Sequence, residues 1–174
     1  MRVLNLHERT LRSSLANAGA LIDGLASRDD ALWPRDRWPA MKLDRPLGVG
    51  AAGGHGPIRY FVEEYEPGRS VRFRFTRPRG FDGSHRFEIT QAVDGRVRLR
   101  HVLEMRASGP ALLTWPFLYQ PLHDALLEDA LDRAGSTLGL PIAPRRWSAW
   151  VKVLRWALRR RARQGKRSRL VDRG

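Results

Sequence analysis

Two histidines in otherwise apolar segments are the residues of this chain best suited to chemistry. His85 and His101 lie where every second residue is apolar, a pattern that indicates β-strands with one buried face. Imidazole changes its charge near neutral pH, so two rings on one apolar face could bind the polar end of a ligand or act as acid and base. The alternative is a pair of structural histidines, satisfied by their neighbours or exposed at a rim. Tyr60 and Glu64 are further polar candidates on the same predicted face.

Composition and spacing exclude or disfavour other kinds of site. The 174 residues include no cysteine, so a thiolate nucleophile, a cysteine-ligated metal and a disulfide are impossible. The glycine-rich segment 48–57 lacks the lysine of a phosphate-binding loop, and we interpret it as a turn between strands. Asp124, Glu128 and Asp132 share one side of a predicted helix, and His123 is not three or four residues from any of them. We therefore expect a solvated acidic face that could accept arginines from the C-terminal tail, with no metal and no cofactor.

An antiparallel meander over residues 58–105 is predicted to hold the candidate side chains. A symmetric turn in its first hairpin pairs Val62 with Phe73, so that the apolar faces of the two strands coincide. The same register puts Glu64 opposite Val71 on the inner face. Arginines and glutamates alternate on the other face, which indicates a sheet with one packed side and one wet side.

The second hairpin allows two turns, of which one keeps the faces separate. A two-residue turn would set apolar residues opposite charged ones. A three-residue loop, Val93-Asp94-Gly95 with Gly95 left-handed, avoids this and sets Phe87 opposite His101 and His85 diagonal to it. The inner-face residues expected to bind a ligand or fill the core are Tyr60, Val62, Phe73, Phe75, His85, Phe87, Leu99, His101, Leu103 and Met105.

The rest of the chain supplies a first strand, a first helix and a long C-terminal helix. The predicted elements are a strand over 3–11, a helix over about 14–26 capped by Ser13 or Ser14, a short strand near 40–45, and a helical part from about 110 to 138 interrupted at Pro116 and Pro121.

Two short segments and this order of elements carry a family resemblance. Residues 53–58, Gly-Gly-His-Gly-Pro-Ile, are similar to the glycine-rich loop of proteins of the birch-pollen-allergen type. Residues 65–69, Tyr-Glu-Pro-Gly-Arg, resemble a hairpin common in the polyketide cyclase/dehydrase branch. The chain thus resembles the START-like (SRPBCC) superfamily over about residues 1–138. The resemblance implies an α+β helix-grip fold, in which a curved antiparallel sheet of about seven strands wraps a long C-terminal helix around a hydrophobic cavity.

The resemblance also implies a range of functions rather than one. Members of the superfamily bind lipids, sterols, polyketides or plant hormones, and some cyclise or dehydrate polyketides. We expect residues 1–140 to form a domain that binds a small hydrophobic or amphipathic ligand, lipid-like or polyketide-like. The open alternatives are a cyclase or dehydratase that uses His85 or His101 as acid or base, a membrane-associated lipid carrier, and an interaction module with a collapsed cavity.

Residues 141–174 are predicted to be a linker, a basic amphipathic helix and a disordered end. They carry 12 Lys and Arg against one Asp, whereas residues 1–140 are nearly balanced. A basic helix with tryptophans suits an anionic membrane surface, and we favour this partner over nucleic acid. Docking on an apolar patch of a protein partner, or an appendage that binds nothing, is the open alternative. The candidate membrane or anion contacts are Trp147, Trp150, Lys152, Arg155 and Arg159.

No segment of the sequence has the apolar character of a signal peptide or of a membrane span of about 20 residues. We therefore expect a cytoplasmic location, with peripheral contact at the inner face of the membrane through the tail as the alternative.

Overall fold

Seven antiparallel strands form one open sheet in the computed structural model. The structure describes residues 1–92, 95–143 and 145–171, and it describes the side chains of the last helix as far as Arg160. The strand order is β1-β7-β6-β5-β4-β3-β2. The strands are β1 (Arg2–Leu11), β2 (Lys42–Leu43), β3 (Ala52–His55), β4 (Ile58–Glu66), β5 (Ser70–Arg77), β6 (Phe81–Gln91) and β7 (Val97–Ala107).

Helices cover one face of this sheet. The elements are α1 (Leu15–Asp23), α2 (Ala111–Thr114), a π-helical turn (Trp115–Tyr119), α3 (Gln120–Thr137) and α4 (Ala149–Val171). The predicted α+β architecture, with seven strands and a long helix, is confirmed. Within the described residues, no helix has both the length and the apolar character that a bilayer span requires.

The ends of the helices follow local chemistry. Ser14 accepts a hydrogen bond from the backbone N–H of Asn17 at 3.1 Å, so the predicted serine cap is confirmed, although α1 ends at Asp23 rather than near 26. Pro116 lies in the π-helical turn, and Pro121 lies in the first turn of α3. Each proline lacks the N–H that an unbroken helix needs, so the predicted interruption falls between them.

The second hairpin has the predicted register. Ile89 pairs with Leu99, Phe87 with His101 and His85 with Leu103. Gly95 has a φ of 70°, the left-handed conformation that the three-residue loop requires. Val93 and Asp94 lie outside the described residues.

The first hairpin corrects the predicted place of Glu64. Val62 pairs with Phe73 as expected, but a bulge after Val62 pairs Glu64 with Arg72 instead of Val71. An extra residue in one strand reverses the side on which the following side chains point. Glu64 therefore lies on the wet face, where it forms a 3.2 Å ion pair with Arg72, and it is not a cavity residue.

The glycine-rich segment is also more regular than predicted. Ala52–His55 is a strand that pairs with β2 and β4, rather than part of a plain turn. A Cβ on Gly53 would lie 1.9 Å from the carbonyl oxygen of Lys42, so only glycine allows β2 to approach so closely. The glycines here serve strand packing, and they carry His55 to the inner face.

The acidic side of α3 is not the solvated face that we expected, because it packs against the inner side of β1. Residues two apart on a strand are about 6.6 Å apart, and residues four apart on a helix are about 6 Å apart. The two rows therefore match in spacing and form a polar seam along the edge of the sheet. Its contacts are Asn5–Asp124 (2.9 Å), His7–Asp124 (3.2 Å), His7–Glu128 (2.9 Å), Arg9–Glu128 (3.0 Å) and Arg9–Asp132 (2.7 Å). Arg145, which precedes α4, adds a 3.0 Å ion pair with Glu128.

Candidate functional site

A cavity of about 730 Å³ lies between the sheet and the helices. Its walls are mostly aromatic and aliphatic, and its polar groups are few. The sheet contributes His55, Ile58, Phe75, Phe81, His85, His101 and Leu103; the helical side contributes Trp115, Leu118, Tyr119, Leu122, His123, Leu126 and Leu127; the loops contribute Trp33, Asp36, Arg37, Trp38, Pro39, Gly56 and Pro57.

The predicted ligand-binding residues divide into two groups. Phe75, His85, His101 and Leu103 line the cavity. The other six are buried by neighbouring side chains and do not line it, so they fill the core, which is the second of the two roles that the sequence allowed for them. These six are Tyr60, Val62, Phe73, Phe87, Leu99 and Met105.

All five histidines of the chain lie in one connected cluster. His85 Nδ1 is 3.1 Å from His101 Nε2, a hydrogen bond between two buried rings. The ring centres of His101 and His123 are 5.1 Å apart, and those of His123 and His7 are 6.0 Å apart. Tyr60 joins the cluster from the other side, because its hydroxyl lies 3.1 Å from His55 Nδ1 and its ring contacts that of His85.

Burial keeps the cavity histidines neutral. Desolvation is the main cause that holds the pKa of His85 and His101 well below the ordinary value, and neighbouring imidazoles add to it. Desolvation also lowers the pKa of His55 to about 3, and it lowers the pKa of His123. His7 differs: burial lowers its pKa, but contacts with Asp124 and Glu128 outweigh burial and raise it overall.

The His85–His101 pair leaves two ring nitrogens that make no hydrogen bond within the described part of the chain, His85 Nε2 and His101 Nδ1. A neutral imidazole has one N–H and one lone pair. One ring must donate to the other across the pair, so in either arrangement the two remaining nitrogens present one donor and one acceptor. A hydroxyl group or a water molecule matches that combination.

Helix α4 closes one side of the cavity, which the prediction of a separate tail did not include. Arg155, Leu158 and Arg159 line the cavity. Arg155 is only 7% exposed, and its guanidinium lies 4.0 Å from the ring centres of both Trp38 and Trp147. It also donates a hydrogen bond to the backbone carbonyl of Arg37. Burial lowers the pKa of Arg155 to about 10, which leaves it charged at neutral pH.

A buried carboxylate anchors the same junction. Asp129 of α3 is 4% exposed and accepts hydrogen bonds from Trp38 Nε1 (2.6 Å), Trp147 Nε1 (3.0 Å) and Arg37 Nη1 (2.7 Å). Trp147 and Arg155 therefore face the domain, and their predicted role as membrane contacts is corrected. Trp150, Lys152 and Arg159 are exposed, as a surface contact requires.

Sequence reasoning missed His55 and His123, which both line the cavity. His123 lies three, four and seven residues before Leu126, Leu127 and Ala130, so the helical period placed it on the buried side of α3. His55 had no such indication, because its strand is short and rich in glycine.

No family model and no curated protein sequence matches the chain. Solved structures do match it over most of its length. It is similar to norcoclaurine synthase of Thalictrum flavum, solved as a point mutant with a transition-state analogue, at a TM-score of 0.60 and 12% identity over 79% of this chain and 94% of that one. It is similar to Ara h 8.0201 at a TM-score of 0.55 and 12% identity, over 79% of this chain and 98% of that one. A conserved protein of unknown function from Enterococcus faecalis matches at a TM-score of 0.56 and 13% identity, over 93% of this chain and 86% of that one.

The chain has the helix-grip fold. The resemblance to the START-like superfamily is confirmed at the level of the fold, and the cavity lies where that resemblance placed it, between the sheet and the long helix. Helix α4 follows α3 along the chain and packs across the side of the cavity.

Proposed function

We propose that this protein binds a small hydrophobic or amphipathic molecule in the helix-grip cavity. The observation that carries the proposal is the cavity itself, because its volume lies within the roughly 300–1,000 Å³ of small-molecule sites and its walls are mainly aromatic and aliphatic. One structural neighbour, norcoclaurine synthase, was solved with a bound transition-state analogue, which supports the view that this fold can hold a small molecule. An interaction module with a packed interior would lack this space.

The polar groups suggest how such a ligand would be oriented. The donor and acceptor left by His85 and His101 match a hydroxyl group on an apolar body. Both nitrogens are buried, so such a hydroxyl reaches them when the two rings turn toward the cavity. Arg159 lies at the cavity wall and forms no ion pair among the described residues, so an anionic group at the other end of the ligand would find a cation there. The proposed class is therefore an elongated hydroxylated lipid or polyketide-like molecule.

Ligand binding is favoured over catalysis by the state of the histidines. A general base is most effective when its pKa is close to the working pH. Burial holds the pKa of His85 and His101 far below that range, so these rings are good hydrogen-bonding groups but weak bases. A cyclase or dehydratase would need its substrate to change this environment.

A cavity-filling variant tests the proposal directly. Leu122 lines the cavity, whereas Leu112 on α2 is 46% exposed and does not. We expect 1-anilinonaphthalene-8-sulfonate to bind the wild type and Leu112→Trp with equal affinity and to bind Leu122→Trp at least tenfold more weakly. Mass spectrometry of small molecules co-purified with the wild type, and lost in Leu122→Trp, would then identify the ligand. Equal probe binding by both variants would contradict the proposal.

A second proposal concerns the surface of α4. Trp150, Val153 and Trp156 are each at least half exposed. Trp150 lies at the margin of α4 nearest the domain, where its Nε1 donates a 3.0 Å hydrogen bond to the backbone carbonyl of Phe117. Arg160 lies 5.3 Å from the ring centre of Trp156, and Lys152 is exposed nearby. Exposed tryptophans flanked by cations suit the interface of an anionic bilayer. We propose that this face gives the protein a peripheral membrane contact.

Point variants test the membrane contact better than deletion of 141–174, because deletion would also remove a wall of the cavity. We expect the wild type to sediment with phosphatidylcholine/phosphatidylserine vesicles, and the double variant Trp150→Ser/Trp156→Ser to bind at least tenfold more weakly. Leu4→Ser is the control, since Leu4 is 71% exposed on β1. Equal vesicle binding by the double variant and the control would exclude this face as the contact.

A further inference from the structure

Three potential metal ligands converge at the junction of β1 and α3, beside the cavity. His7 Nε2 lies 3.2 Å from Asp124 Oδ1, and His123 Nδ1 lies 3.7 Å from the same oxygen. Each of the three residues offers one ligand atom, and these atoms lie within 4.8 Å of one another. Tetrahedral Zn²⁺ with bonds of about 2.0–2.1 Å holds its ligand atoms roughly 3.3 Å apart, so the side chains are close to the geometry that such an ion needs.

The contacts of His7 show why a cation fits between these groups. His7 Nδ1 lies 2.9 Å from Glu128 Oε1, which is a hydrogen bond only if that nitrogen carries the proton. Its Nε2 then presents a lone pair to the carboxylate oxygen of Asp124. Two acceptor atoms 3.2 Å apart repel unless a positive ion, a second proton or a metal, lies between them.

His123 provides the observation that distinguishes a metal from a proton. Its Nδ1 is buried and makes no hydrogen bond within the described residues, and 3.7 Å is too long for a hydrogen bond to Asp124. A proton on His7 leaves this nitrogen unused. A metal ion bound to all three atoms uses it and offsets the cost of its burial.

The surroundings have the form of an outer shell around a metal site. In metalloproteins a ligating histidine commonly donates its other N–H to a carboxylate, which fixes the ring. Glu128 occupies that place for His7, and it is itself held by Arg9 and Arg145 at 3.0 Å each. Asn5 donates to Asp124 at 2.9 Å and orients that carboxylate.

We propose that His7, His123 and Asp124 bind one divalent transition-metal ion of the zinc type. Two imidazoles and one carboxylate are a donor set that suits Zn²⁺ and its neighbours rather than Ca²⁺ or Mg²⁺. Three protein ligands leave a position for water or for an oxygen of another molecule. The ion would tie the edge strand to α3, and since His123 also lines the cavity it would lie at the cavity wall. The site does not depend on which ligand the cavity holds.

Calorimetry with zinc alone tests the site. The full-length protein is stripped with a chelator and titrated with ZnCl₂ at neutral pH. We expect one ion per chain with a dissociation constant in the micromolar range or below, and a higher Tm with zinc than without it. His123→Ala and Asp124→Asn should each weaken binding at least 100-fold. Glu128→Gln should weaken it by about 10- to 100-fold, as loss of an outer-shell partner does.

Two controls keep the result unambiguous. Glu8→Gln removes a carboxylate next to His7 that pairs on the opposite face of the sheet, and it should bind zinc like the wild type. Circular dichroism establishes that each variant is folded before titration. Absence of stoichiometric binding by the folded wild type, or equal affinity in folded His123→Ala and Asp124→Asn, would overturn the proposal and leave a proton on His7 as the cation of the seam.

Discussion

Replacing Arg155 with alanine should release α4 from the helix-grip domain. The guanidinium contacts two indole rings, each at 4.0 Å, and it donates a hydrogen bond to the backbone carbonyl of Arg37. A desolvated cation–π contact contributes about 0.5–2 kcal/mol, and a hydrogen bond from a charged donor contributes about 1.5–3 kcal/mol. The lower ends of these ranges already give about 2.5 kcal/mol, which corresponds to roughly a 60-fold change in the equilibrium between docked and undocked α4.

Hydrogen exchange measured by mass spectrometry reports this equilibrium, because backbone amides exchange when a segment opens locally. Amides of residues 149–160 should exchange roughly 60-fold faster in Arg155→Ala, while those of the sheet should not change. Arg159→Ala is the matched control, since Arg159 is exposed one turn later on the same helix. Arg155→Lys keeps the charge but loses the planar stacking, so it should give an intermediate rate. Equal exchange of α4 in Arg155→Ala and Arg159→Ala would refute the assignment of Arg155 as the anchor.

Three further predictions concern stability. Asp129→Ala leaves buried indole and guanidinium donors without their acceptor and should lower the free energy of unfolding in urea by about 3–5 kcal/mol; a loss below about 1 kcal/mol would contradict its role as the hub of the junction. Gly19→Ala would place a Cβ 2.4 Å from the carbonyl oxygen of Gly68 and should cost about 1–3 kcal/mol, whereas in Gly48→Ala no atom lies closer than 3.9 Å and the cost should stay within about 0.5 kcal/mol. Since the pKa of His101 is depressed in the folded state, the contribution of this neutral ring to the free energy of unfolding is fully present above the unfolded pKa of about 6.5 and is lost as pH falls. His101→Phe should therefore reduce the pH dependence of the free energy of unfolding between pH 6 and 5 by about 1 kcal/mol per pH unit. An unchanged slope would mean that His101 is protonated in the folded state.

The register of the second hairpin could be predicted because local rules determined it. A three-residue loop was the turn that kept charged residues off the packed face, and this alone brought His85 and His101 within hydrogen-bonding distance. The place of Glu64 could not be predicted in this way. The bulge after Val62 changes the pairing by one residue, and residues 58–66 of this strand contain no glycine or proline that would mark it in the sequence.

The role of α4 could be predicted only in part, for a different reason. Its amphipathic period identified a side suited to contact, but a helical period does not distinguish a bilayer from another part of the same chain. Arg155 was assigned to the polar side by its charge, yet two tryptophans more than 100 residues apart in the sequence make a site in which a guanidinium is buried. Such contacts depend on where Trp38 lies in the folded domain, which local patterns do not determine.

The two sides of α4 have a thermodynamic consequence. Leu158 and Arg159 border the cavity, while Trp150 and Trp156 are exposed on the same helix. If occupancy of the cavity favours one position of α4, a surface that holds α4 in that position must raise ligand affinity. By linkage, the ligand must then raise affinity for that surface by the same factor. Loading and unloading of the cavity can thus be coupled to attachment at a surface through a single helix, with Arg155 as the residue whose contacts set the strength of the coupling.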